Sequence, residues 1–159
     1  MPIRENNIAL PAILISWIKS PKIFSTIVPS IQHETGFRDE HPAHGEIVLY
    51  ATQLESISSR RSDKYDYPIN TYGSDKVKNG LRNIFSNINS ESIGKNIGGL
   101  RNEIAHVGRP KELLNALSLK DLVYLGQYLQ IIIIAYILTN LGVSKEVIED
   151  YQNKFTLND

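Results

Sequence analysis

Residues 119–140 constrain the fold of this chain more than any other stretch. Residues 122–141 carry no charge, and a run of that length can cross a bilayer. Gln127, Gln130, Asn140 and the hydroxyls of Tyr124, Tyr128 and Tyr136 argue against lipid on every side, because each polar group would need a partner there. A long helix inside a bundle fits better. Leu122, Leu125, Leu129, Ile132 and Tyr136 follow a heptad-like spacing, while Val123, Ile134 and Ile137 make the opposite side apolar too. A helix with two apolar faces needs two neighbours, so it either runs through the centre of the bundle or contributes to self-association. Ser118 is placed to cap it, and Gly142 to end it.

The remaining segments read as shorter helices around it. In residues 8–31 apolar side chains recur at intervals of three and four (Ile8, Ala12, Ile15, Ile18, then Ile23, Phe24, Ile27, Val28), with Pro21 a kink or break and Pro29 an end. Residues 8–18 resemble a short signal-peptide apolar region, but Pro11 interrupts the run, Glu5 offsets Arg4, and Lys19-Ser20-Pro21-Lys22 offers no small-residue cleavage site. The segment is expected to form a core helix. Residues 32–43 lack any period and form a loop. His33, His41 and His44 cluster around it, but without cysteine or a regular helical spacing they do not make a convincing metal site.

Residues 45–61 restore the helical period through Ile47, Tyr50, Leu54 and Ile57, with Glu55 on the flank of that stripe. An acid at the edge of a core face usually has a cationic partner, and Arg101 is a candidate, with a solvated Glu55 the equal alternative. Residues 65–74 show no period and are expected to be a loop whose tyrosines, Tyr65, Tyr67 and Tyr72, either pack it down or stack bases. A short helix over 75–87 follows, then Ser90 as the cap of the next helix. Gly94, Gly98 and Gly99 either delay the start of that helix to about position 98 or admit another backbone close by. Residues 144–153 close the chain with a last short helix. No strand pair is evident, so the fold class is all-α and the 159 residues form one domain.

Composition narrows the functional classes. With no cysteine there are no disulfides and no thiolate metal sites, which accords with a cytoplasmic protein. Seventeen basic residues balance seventeen acidic ones, so the chain as a whole is no polyanion binder by charge. The distribution is uneven, however: residues 58–111 hold ten basic against five acidic side chains. Such a field would guide a polyanion toward this region, although ordinary surface charge looks the same.

Within that basic half lies Leu100-Arg101-Asn102-Glu103-Ile104-Ala105-His106. A cation, an amide, an acid and an imidazole fall within two helical turns, between apolar residues that anchor them. On a continuous helix Asn102 and His106 share a face, and Arg101 reaches round with its long side chain. This set suits cleavage of RNA without a metal. The imidazole takes a proton from a ribose 2′-hydroxyl or gives one to the leaving oxygen, and the guanidinium stabilises the negative phosphorane between them. No carboxylate cluster is arranged to hold two metal ions. On residue types alone, a core histidine beside a structural arginine remains the competing reading.

The stretch Arg101-Asn102-Glu103-Ile104-Ala105-His106 also resembles the motif of the HEPN superfamily, an arginine followed after four to six residues by histidine, with asparagine commonly next to the arginine. The order before it, a helix bearing Trp17, a loop, then a helix carrying Leu54-Glu55, is similar to the C-terminal HEPN domain of ApeA-type antiphage proteins. The resemblance implies an all-α bundle of four or five helices that forms a homodimer and so brings two motifs into one cleft. It further implies a metal-independent endoribonuclease in antiphage defence, acting on tRNA or other RNA and leaving a 2′,3′-cyclic phosphate and a 5′-hydroxyl, with no cofactor. In such proteins the domain follows a larger N-terminal sensing region, so this chain is expected to be a domain of a longer protein. On this reading His106 is the general acid/base, Arg101 the phosphate and transition-state binder and Asn102 the orienting partner. Arg109, Lys111, Arg60 and Arg61 form a weaker RNA track, and Glu55 is a support. The alternatives are a non-catalytic RNA- or nucleotide-binding dimerisation module, or the toxin-like subunit of a two-gene pair.

Overall fold

The computed structural model describes residues 9–19, 43–59, 62–88 and 92–155. Among them are eight helices and no strand: α1 (Leu10–Lys19), α2 (Ala43–Ser58), α3 (Asp66–Tyr72), α4 (Asp75–Ile84), α5 (Ile93–Ala105), α6 (Glu112–Ala116), α7 (Leu119–Asn140) and α8 (Lys145–Phe155). The all-α reading holds. The expected kink at Pro21, the helix after it, His33, His41, Arg60, Arg61 and the Ser90 cap lie outside the described residues.

The bundle is built around α7. The Ser118 hydroxyl accepts from the Asp121 N–H at 3.1 Å while the Asp121 carboxylate accepts from the Ser118 N–H at 2.9 Å, a reciprocal cap that satisfies two backbone donors. At the other end Gly142 adopts φ +81°. The Gly142 N–H donates to Thr139 and the Val143 N–H to Leu138, the paired bonds that close a helix through a left-handed residue. Between these ends Ile131, Ile132 and Ile133 are all buried in sequence, so the helix is covered on several sides. It packs against α2, α3, α4 and α8. Burial inside the bundle accounts for the uncharged run, although α7 is long and apolar enough to span a membrane. Leu54, Ile97, Leu100, Leu125 and Leu129 are fully buried and join α2, α5 and α7 in one core.

Three expectations are corrected. The 65–74 segment is not a loop but largely α3, in which Ile69 is 1% exposed. Seven residues are too few to display a period, and Pro68 sits in the first turn, where a missing N–H breaks no helical bond. Its tyrosines pack edge to face: Tyr67 on Tyr72 at 6.4 Å and Tyr72 on Tyr136 of α7 at 5.3 Å. The first helix is not a core helix, since no residue of α1 is buried and only Ile13 packs partly on the core. The core space is already filled by α2, α5 and α7. The helix over 75–87 stops at Ile84, after which Ser86 and Ile88 donate to carbonyls three residues back in tight turns.

The last helix does more than cover the bundle. Gln152, 1% exposed on α8, accepts from the Ser74 N–H at 2.6 Å and donates to the Tyr72 carbonyl at 2.8 Å. One buried amide therefore satisfies both backbone groups at the α3–α4 joint.

Candidate active site on α5

The site begins with the way α5 is seated. Its N-cap is Ser92, two residues beyond the expected Ser90. Asp66, the first residue of α3, decides this: its carboxylate accepts from the Ser92 hydroxyl at 2.8 Å and from the Gly94 N–H at 2.9 Å. The Ser92 hydroxyl in turn accepts from the Lys95 N–H at 3.1 Å. An acid from a neighbouring helix thus meets free N–H groups and the positive end of the α5 dipole. The glycines resolve as a close approach rather than a late start. A Cβ at position 94 would lie 2.7 Å from the Asp66 backbone nitrogen, and one at position 98 would lie 2.8 Å from the Tyr65 ring.

One turn further on, Leu100 is fully buried and fixes the helix, leaving Arg101 and Asn102 partly buried at the rim. The Arg101 Nη1 donates to the Asn102 side-chain oxygen at 3.1 Å, so the amide steers the guanidinium. The Arg101 Nε is buried without a hydrogen-bond partner. Such a donor costs stability unless something fills its valence.

The expected Glu55–Arg101 ion pair is not formed. Lys64 reaches Glu55 first, at 2.6 Å, and the Tyr65 hydroxyl donates to the other carboxylate oxygen at 3.4 Å. The Lys64 hydrogen bond is the main reason the Glu55 carboxyl titrates below its ordinary range. Burial opposes this, and the charges of Lys64 and Arg101 add to it. Glu55 raises the Lys64 ammonium in return, and burial, followed by the Glu55 charge, raises the Tyr65 phenol. Arg101 therefore feels Glu55 through space, and its Nη1 donates to Asn102 rather than to this carboxylate.

His106 does not lie on the helix. α5 ends at Ala105 and His106 is its C-cap, with extended backbone at φ −118°, ψ 107°. The His106 N–H still donates to the Asn102 carbonyl at 3.1 Å, the bond that closes the last turn of α5 and keeps His106 one turn beyond Asn102. His106 is exposed, as are Val107 and Arg109 after it.

Two motif-flanking residues have roles that spacing did not reveal. The Glu103 carboxylate accepts from the N–H groups of Leu113 (3.1 Å) and Leu114 (2.9 Å), capping α6, whose own N-cap residue Lys111 makes no side-chain cap. Lys111, expected on the RNA track, donates instead to the carbonyls of Glu103 and His106, the latter at 3.0 Å. It thereby neutralises the negative end of α5. Glu103 and Lys111 form a reciprocal lashing between α5 and α6 that fixes the chain on both sides of His106. Arg109 is exposed within the lashed turn.

Chemically, the arrangement offers an oriented guanidinium, an amide beside it and an exposed imidazole a few residues on. Among the described residues no group of three or more His, Asp or Glu side chains could hold a metal ion, and His44 is exposed on α2 away from any such set.

Comparison with known proteins supplies the family. No curated protein and no solved structure matches the chain significantly. A model of the Apea-like HEPN family matches residues 48–147, which run from α2 through the whole Arg101–His106 motif and α7 into the start of α8. Spanning well over half of the sequence, this match establishes that the chain belongs to the Apea-like HEPN family.

Proposed function

We propose that this domain is a metal-independent endoribonuclease of antiphage defence, with tRNA among its expected substrates in the cytoplasm. Family membership supports a ribonuclease-type antiphage role at the level of the family. The observation that carries the finer reading is the Arg101–Asn102 pair, a guanidinium held by a neighbouring amide, with exposed His106 just beyond the end of the same helix.

The reaction follows from these groups. The ribose 2′-oxygen attacks phosphorus, its proton passes to a base, the bond from phosphorus to the 5′-oxygen breaks, and that oxygen takes up a proton. The products are a 2′,3′-cyclic phosphate and a 5′-hydroxyl. His106 moves a proton at one of these oxygens, Arg101 stabilises the charge building on the phosphorane, and Asn102 fixes the guanidinium. Cleavage needs two proton transfers and the motif holds one exposed imidazole, which favours a homodimer that faces two copies of the motif across one cleft. Arg109 beside His106, with Arg60 and Arg61, would follow the RNA backbone.

The test is incubation of purified protein, its His106→Ala variant and its Arg101→Ala variant with total RNA. Cleavage by the wild type alone, with helical content equal in all three by circular dichroism, supports the reading. Cleavage by either variant at the wild-type rate would remove that residue from the mechanism.

A further inference from the structure

A cleft of about 400 Å³ opens beside the motif, between the 62–66 segment and the N-terminal half of α5. Ser62, Asp63, Lys64, Tyr65, Lys95 and Gly98 line it. That volume lies within the range of small-molecule sites. Gly98 precedes Arg101 by three helical residues, roughly 4.5 Å along the axis. The two sites are also joined through Glu55, which takes hydrogen bonds from Lys64 and Tyr65 in the cleft wall and feels the charge of Arg101. A chain gripped at Arg101 therefore meets the cleft within the length of a nucleotide.

The lining indicates which part of a nucleotide enters. Lys64 and Lys95 are balanced by Asp63 and Asp66 in the same lining, so the cleft holds no excess of positive charge for a phosphate. Asp66 is moreover bonded to Ser92 and Gly94. An aromatic ring with polar groups of both signs around it matches a flat, uncharged heterocycle with donors and acceptors on its edge. Tyr65 is held at both ends: its ring passes over Gly98, where a Cβ would lie 2.8 Å away, and its hydroxyl bonds Glu55. A wall fixed in this way loses little freedom when a ligand packs on it.

We propose that this cleft receives the unstacked base of the nucleotide flanking the scissile phosphate, and so sets the base preference of cleavage. The inference rests on the ribonuclease reading above. Its test uses single-stranded oligoribonucleotides of about ten nucleotides, with binding to the His106→Ala protein read by fluorescence anisotropy and cleavage by proteins with intact His106 read by end mapping. Tyr65→Leu, which removes the ring, should weaken binding at least fivefold and flatten the base preference next to the cut. Tyr65→Phe, which keeps the ring, should preserve both. To guard against a folding defect in Tyr65→Leu, a 4-thiouridine-bearing oligonucleotide is photo-cross-linked to the His106→Ala protein with Tyr65 intact, and cross-links are expected within residues 62–66 or 94–98. Wild-type cleavage whose preference and affinity survive Tyr65→Leu, or cross-links confined to other segments, overturns the cleft and leaves the nuclease reading intact. Binding that depends on Tyr65 in a wild-type protein that cuts no RNA supports the cleft as an RNA site and overturns the nuclease reading.

Discussion

Replacing Glu103 by Ala separates the architecture of the Arg101–His106 motif from its chemistry. The Glu103 carboxylate takes the N–H groups of Leu113 and Leu114 at 3.1 and 2.9 Å, and α6 has no other side-chain cap. Loss of a capping acceptor costs about 0.5–2 kcal/mol, and hydrogen bonds to a charged group contribute about 1.5–3 kcal/mol. Glu103 is only partly buried, so water recovers some of this, and the expected cost is about 2 kcal/mol. For a domain of this size that lowers Tm by about 4–8 °C, measured by circular dichroism at 222 nm. Glu103→Gln keeps one acceptor oxygen and should lose about half as much. Because Lys111 and Glu103 together hold the backbone around His106, RNA cleavage by Glu103→Ala should fall about tenfold, well short of the complete loss expected for His106→Ala. A Tm within about 1 °C of wild type would refute the capping role. Complete loss of cleavage with an unchanged Tm would make Glu103 a chemical group instead.

Other outcomes follow from the same structure. Gly94→Ala should lower stability by about 2 kcal/mol although alanine favours helix by about 1 kcal/mol, because the new Cβ falls against the Asp66 backbone; a raised Tm would contradict that close approach. Burial lifts the Tyr72 and Tyr151 phenols to about 12, with Tyr67 adding to the effect at Tyr72. Their contribution to stability is therefore intact below the ordinary tyrosine value of 10.0 and is lost as pH rises toward about 12. Absorbance at 295 nm should show late phenol ionisation, and titration of all eight tyrosines together near 10.0 in a folded protein would contradict it. At the acid end, the depressed Glu55 carboxyl contributes stability above the ordinary value of 4.5, and this is lost as pH falls below it. Lys64→Met should move the Glu55 carbon resonance titration upward, since the Lys64 hydrogen bond is the largest cause of the shift. Chelation of divalent cations should leave RNA cleavage unchanged; loss of activity with EDTA would point to a metal-assisted reaction.

How much was legible in the sequence depended on whether the deciding contact is local. The ends of α7 were, because Ser118 with Asp121 and Gly142 with Val143 act within one turn of the helix they bound. The start of α5 was missed by two residues: Ser90 and Ser92 are equivalent as local caps, and the choice falls to Asp66, 26 positions away from Ser92. α3 was invisible because seven residues hold no periodicity. In the candidate site, Arg101, Asn102 and His106 stood out through the resemblance to the HEPN motif rather than through spacing alone. That the helix stops at Ala105 and leaves His106 as its C-cap was not legible, since extended backbone at that residue carries no periodic signal. The Glu55–Arg101 pairing failed by competition, because Lys64 follows Glu55 by nine residues and folds back onto it. The capping role of Glu103, ten and eleven residues from its partners, matches no short-range signature at all.

The proposed chemistry is internal transesterification of RNA by Arg101, Asn102 and His106. It is tested most directly by incubating the wild-type protein and the His106→Ala variant with a defined tRNA and identifying the new ends. The expected result is internal cuts by the wild type alone, each leaving a 2′,3′-cyclic phosphate upstream and a 5′-hydroxyl downstream. Cuts by His106→Ala at the wild-type rate, or wild-type cuts ending in 3′-hydroxyl and 5′-phosphate groups, would contradict it.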